Sequence, residues 1–207
     1  MKKTFVFFAV AAAILFAGNT QAQRLAINLG YAPQTTTTAT TILGHTSTNN
    51  HDMTGFFAGV DYNIPLTNYF GLAIGAQARY NFKTTTGDLL TTKETQMLID
   101  IPVLLNFGIR LGADARLSVF AGPVAAYALN GNTNVTEKFA NTSLDTPWYG
   151  KNSNNQQLDL LGAVGVSFDY QVFRLFGGYR MGFLDLDKSD AVKATTSGLF
   201  FGLGYIL

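Results

Sequence analysis

From residue 24 onward the hydrophobic positions recur every second residue, the period of a β-strand with two unlike faces. Between Leu72 and Phe82 one face carries Leu72, Ile74, Ala76, Ala78, Tyr80 and Phe82, and the other Ala73, Gly75, Gln77, Arg79 and Asn81. Met97–Phe107 sorts Met97, Ile99, Ile101, Val103, Leu105 and Phe107 against Leu98, Asp100, Pro102, Leu104 and Asn106. Leu158–Tyr170, Phe173–Phe183 and Leu199–Leu207 repeat the alternation, and Leu25–Ala32, Phe56–Ile64 and Leu117–Leu129 complete a set of eight strands. Gly122-Pro123, inside Leu117–Leu129, predicts a bulge there.

The two faces identify the solvent. In seven of the eight strands the apolar face carries no charge, while the opposite face is small and polar and holds Asp61, Arg79, Lys83, Asp100, Asp159, Asp169, Arg174 and Arg180. A water-soluble barrel turns its apolar face inward and shows charge to water. Here the broad, aromatic-rich face is the charge-free one, which predicts lipid outside and a narrow polar interior. The connections alternate as well. Long polar segments at Pro33–Met53, Thr84–Thr95, Asn130–Gln156 and Asp185–Thr196 take turns with short ones at Pro65–Tyr69, Gly108–Arg116 and Gln171–Val172. The fold class is therefore all-β: an eight-stranded antiparallel transmembrane β-barrel with short periplasmic turns and long extracellular loops. Chain direction then sorts the aromatics into two girdles, with Tyr62, Phe70, Phe107, Phe168, Tyr170, Phe173 and Tyr205 at the short-turn end. Tyr31, Phe56, Tyr80, Phe82, Tyr127 and Phe183 fall at the other.

Composition narrows the class further. Only 13% of the 207 residues are charged, about half the usual share of a soluble domain. The net charge of +1 supplies no field for nucleic acid, and the absence of cysteine removes disulfides and thiol chemistry. Residues 1–22 read as a cleaved signal peptide: Lys2 and Lys3, an apolar run from Phe5 to Ala17, then Thr20-Gln21-Ala22 as the cleavage site. That run is too short for a spanning helix, which needs about 20 residues. Residues 23–207 form the barrel, expected in the outer membrane of a Gram-negative bacterium, with outer-membrane lipid and the barrel-insertion machinery as partners.

Several segments carry a family resemblance. Leu98-Ile99-Asp100-Ile101-Pro102-Val103-Leu104-Leu105, Phe120-Ala121-Gly122-Pro123 with Tyr127-Ala128-Leu129, Gly178-Tyr179-Arg180, Gly182-Phe183-Leu184-Asp185-Leu186 and the closing Gly202-Leu203-Gly204-Tyr205 occur in this order. Together they resemble the small outer-membrane β-barrel domain proteins of Bacteroidota, the PorT-like family, and in strand number the OmpX/OmpA-like barrels. The resemblance implies the fold and raises a role in secretion or assembly at the outer membrane. The chain ends in Leu207 where many such barrels end in Phe or Trp.

An eight-stranded barrel has an interior that side chains fill, so its four acidic and four basic inward residues are expected to pair: Asp100 with Arg79, Asp159 with Arg180, and Asp169 with Arg174. His45 and His51, with Ser47, lie in a Thr/Asn-rich segment. They lack further ligands for a metal and a matching acid for a lipid-modifying site. No catalytic residue, cofactor or metal is expected. Trp148-Tyr149 in the Asn130–Gln156 segment reads either as a contact point for an extracellular protein or glycan or as a rim anchor at the headgroups. The functional expectation is a non-enzymatic barrel serving envelope integrity or adhesion through its loops. The alternatives are a secretion or assembly factor, a narrow ion channel and, last, a lipid-modifying enzyme.

Overall fold

The computed structural model describes residues 24–42, 45–137, 143–150, 153, 155–187 and 192–207; residues 1–22, where a signal peptide is expected, lie outside the described residues. Among the described residues there are ten strands: β1 Arg24–Tyr31, β2 Gln34–Ile42, β3 His45–Pro65, β4 Phe70–Thr86, β5 Leu90–Leu111, β6 Ala115–Glu137, β7 Ser143–Pro147, β8 Leu158–Tyr170, β9 Phe173–Gly182 and β10 Val192–Ile206. Every pairing is antiparallel, and β1, β3, β4, β5, β6, β8, β9 and β10 each pair on both sides, so the ladder returns to its start as an eight-membered ring. β1 and β2 are one ring strand interrupted at Ala32-Pro33, because β2 keeps the register of β1 against both β3 and β10.

The period of two becomes an inside and an outside. Alternate residues of β5 such as Leu98 and Asp100 are buried, while Ile99, Ile101, Leu105 and Phe107 point out. The outward band is apolar on every ring strand, from Ile27 and Leu29 of β1 to Leu203 and Tyr205 of β10. Aromatics edge it at both ends. Tyr31, Phe56, Tyr80 and Phe82 contact one another in sequence at the long-hairpin end, with centroids 5.5 to 6.2 Å apart. Tyr69, Phe70 and Phe107, and separately Phe173 and Tyr205, do the same at the short-turn end, at 5.1 to 6.4 Å. A surface so apolar and so edged is the outside of a lipid-embedded barrel. At the short turns Gly112 (φ 85) and Gln171 (φ 53) take the left-handed conformation that tight reversals demand.

Two expectations need correction. Much of the segments Pro33–Met53 and Thr84–Thr95 is strand rather than loop, as is the start of Asn130–Gln156: β3 runs for 21 residues, β5 for 22 and β6 for 23. Crossing a bilayer takes about 9–11, so these strands rise well past the apolar band as hairpins. Their β-branched threonines favour the pleat, and cross-strand hydrogen bonds such as Thr35 Oγ1 to Asp52 (2.7 Å) and Thr37 Oγ1 to Asn50 (3.0 Å) tie them. The bulge also falls elsewhere. Gly122-Pro123 keeps its register against β8, and the extra residue is Leu129, where Met97 faces Asn130 and Leu98 faces Ala128. Gly122 lets the β5 backbone approach, since a Cβ there would crowd Val103 O and Leu104 Cα. Proline's missing donor therefore costs a ladder bond without shifting the strand.

Candidate functional site: the barrel lumen

The inward residues stack in layers along the lumen. At the long-hairpin mouth, Tyr149 folds inward and accepts a hydrogen bond from Gln96 Nε2 at 2.6 Å, and Trp148 Nε1 donates to Thr133 Oγ1 at 2.6 Å. Gly131 makes room for both rings: a Cβ there would lie 2.7 Å from the Trp148 ring and 2.9 Å from that of Tyr149. Tyr149 thus packs on the core beneath it, and neither residue of the pair stands free in solvent. Burial pushes the Tyr149 hydroxyl above the usual tyrosine range, the Gln96 hydrogen bond partly opposing it. Below it Asn81 Nδ2 donates to both Gln34 and Gln96 at 3.1 Å.

The next layer is a charged bridge across the lumen. Asp100, fully buried, accepts from Arg79 Nε at 2.9 Å, Arg79 Nη2 at 3.2 Å and Arg180 Nη1 at 2.7 Å. Arg79 and Asp100 meet because their strands are neighbours and Asp100 faces Gln77, one inward position away. Arg180 arrives from β9, on the far side of the barrel. Its expected partner Asp159 is out of reach: on the β8–β9 ladder Arg180 faces Ala163, four residues from Asp159, or roughly 13 Å along a strand. Asp159 instead accepts from Thr196 Oγ1 at 2.5 Å, and its other oxygen has no partner.

Beneath the bridge lies a layer the alternation analysis left out. Phe57, Phe120, Phe176 and Phe200 turn inward, and Arg180 stacks over Phe200 at 4.7 Å and Phe57 at 5.7 Å. Such large rings fit a narrow barrel because glycines stand opposite: a Cβ on Gly165 would collide with the Phe120 ring, and one on Gly178 would lie 2.7 Å from that of Phe200. The signal was available, since each phenylalanine occupies an inward register position, but among so many aromatics it carried no mark of its own.

The last layer faces the short turns. Arg174 binds Asp169, its direct cross-strand partner, at 2.8 and 3.2 Å, and reaches Asp61 at 3.0 Å. Asp61 also accepts from Asn28 and, at 2.7 Å, from Asn63. Lys83 belongs to none of these layers. It stands in the raised hairpins, opposite Glu94 and 3.4 Å from His51 Nδ1, while His51 Nε2 lies 3.1 Å from Glu94. Among the described residues neither His45 nor His51 hydrogen-bonds a serine, and Ser47 faces Thr40 on β2.

Comparison with protein-family models agrees with this architecture. The family model described as outer membrane protein beta-barrel domain matches residues 16–188. Comparison with curated protein sequences gives no match. Among solved structures, the chain is similar to Ail, the attachment invasion locus protein of Yersinia pestis, in complex with the heparin analogue sucrose octasulfate. That match has 16% identity and a TM-score of 0.45, over 89% of this chain and 99% of that one. Neisserial surface protein A matches at 13% identity and a TM-score of 0.44, over 87% and 97% of the two chains. The Escherichia coli outer membrane protease OmpT matches at 9% identity and a TM-score of 0.42, over 91% and 98%.

Proposed function

Since the chain belongs to the outer membrane protein beta-barrel domain family and is a protein of the outer membrane, we propose that it is a closed, non-enzymatic barrel. On this reading it acts through the hairpins it raises at the cell surface, in envelope integrity or in contact with an extracellular protein or glycan. The short turns then face the periplasm, as in small barrels of this kind.

The observation that carries the reading is the Arg79–Asp100–Arg180 bridge. It joins β4, β5 and β9 across the lumen, with Tyr149 seated above and the phenylalanine layer below. A void beside Gln34, Arg79 and Arg180 measures about 10 Å³, enough for a single water and too small for a hydrated ion. Surface contact is favoured because β3–β6 rise past the apolar band, and because among the described residues β7 pairs with β6 alone.

Single-channel recording on the mature protein refolded into planar bilayers tests the closed lumen. Wild type, shown to be inserted by heat-modifiable gel migration, is expected to give no steady conductance. Steady wild-type conductance that changes in Arg180→Ala overturns the reading in favour of a channel. The non-enzymatic part is checked by mass spectrometry of the surrounding lipid. New lipid species that disappear in His45→Ala or His51→Ala overturn it.

A further inference from the structure

The short-turn half of the lumen is left unfilled. A cavity of about 600 Å³ extends from the turns to the Phe57, Phe120 and Phe200 layer. It exists because the inward positions of β4 there are Gly71, Ala73 and Gly75, none long enough to reach across. Its volume lies within the range of small-molecule sites, about 300–1,000 Å³, and like them it joins an apolar floor to polar walls.

Like charges meet at its mouth. Arg110 and Arg116 face each other directly on the β5–β6 ladder, an arrangement that destabilises a sheet unless a counter-charge is supplied. Arg116 also lies in the field of Arg24 and Arg174. Its neighbour on β8, Asp169, opposes that field but makes no hydrogen bond to Arg116, both carboxylate oxygens accepting from Arg174. Among the described residues Arg24 and Arg110 enter no ion pair. Arg116 Nε is buried with no hydrogen-bond partner, and Arg116 Nη2 reaches only the Tyr69 carbonyl, at 3.4 Å. A buried guanidinium N–H without an acceptor is costly, and several guanidinium forks facing one space suit an oxyanion.

We propose that this mouth binds a phosphate group, carried on a membrane-lipid headgroup or on a soluble molecule whose apolar part enters the cavity. The inference takes from the proposed function only that the short turns face the periplasm. It stands whether or not the hairpins bind a partner.

The test is an NMR titration of the mature protein refolded in dodecyl maltoside, a detergent without phosphate, following Arg116 Nε–H and the Gly71 and Ala73 amides. Inorganic phosphate, phenyl phosphate and dihexanoyl phosphatidylglycerol are the probes. Saturable shifts at all three groups are expected with at least one probe. Arg116→Gln and Arg110→Gln are each expected to weaken that binding at least about tenfold, the lower end for losing one charge-assisted hydrogen bond. Ala73→Leu fills the cavity without touching charge. It is expected to weaken phenyl phosphate while leaving inorganic phosphate within about twofold. Binding of phenyl phosphate identifies a soluble ligand, and binding of the lipid alone identifies a headgroup; either supports the phosphate site. Shifts that never saturate, or that are unchanged in a correctly folded Arg110→Gln variant on the exposed rim, overturn it.

Discussion

Replacing Asp100 by Asn removes one charge and almost no volume, yet it should be among the most damaging changes in the molecule. Asp100 is 0% exposed and its two oxygens accept three guanidinium N–H groups from Arg79 and Arg180. An amide presents one acceptor and one donor, so at least one of those N–H groups meets another donor. The two arginines, 4% and 7% exposed, lose their shared counter-charge. Breaking a buried ion pair from one side costs about 3–5 kcal/mol, a large part of a typical total of about 5–15 kcal/mol. The same change at Asp159 should behave differently. That carboxylate has no arginine or lysine within ion-pair distance among the described residues, accepts one hydroxyl, and leaves an oxygen unpartnered. Asp159→Asn therefore removes an unpaired buried charge, and stability should stay within about 1 kcal/mol of wild type or rise. Reversible urea unfolding from lipid vesicles, read by the fluorescence of the single tryptophan, Trp148, measures both. With a slope of about 2 kcal/mol per M, the Asp100→Asn midpoint should drop by about 1.5–2.5 M. A drop under about 0.5 M, or an equal loss in Asp159→Asn, would refute the view that the bridge is a closed ion cluster held across the lumen.

Two further outcomes follow from the orientation of the strands. Val164→Arg, on an outward position of mid-β8 that is 57% exposed, should cost about 2–4 kcal/mol in vesicles; a neutral result would mean that this face meets water. Tyr149 has its proton affinity raised by burial. Its contribution to stability is therefore complete below the ordinary tyrosine value of about 10 and declines as pH climbs through the higher folded value. Subtracting the 295 nm alkaline titration of Tyr149→Phe from that of wild type should isolate a late-ionising group. A difference curve that titrates with the exposed tyrosines would mean that Tyr149 does not seat in the mouth.

The strands, their faces and the two aromatic belts were legible along the chain because each depends on local periodicity. A residue's side of a strand is set by whether its position is odd or even, and Arg79, Asp100, Asp169, Arg174 and Arg180 all lie on the inner side that the alternation assigns. Pairs close to a shared turn were legible too: Asp169 and Arg174 flank the Gln171-Val172 reversal and sit opposite each other. Contacts across the barrel were not. Arg180 meets Asp100 only because the ring closes and brings β9 over β5, and no hairpin register contains that distance. The same closure turns four phenylalanines into a single floor and leaves β4's small residues as a cavity, since space inside a ring depends on every wall at once. The height of the hairpins also waited on the structure, because a polar, threonine-rich segment has no apolar face to reveal a strand. Its order comes from the backbone ladder of its neighbours.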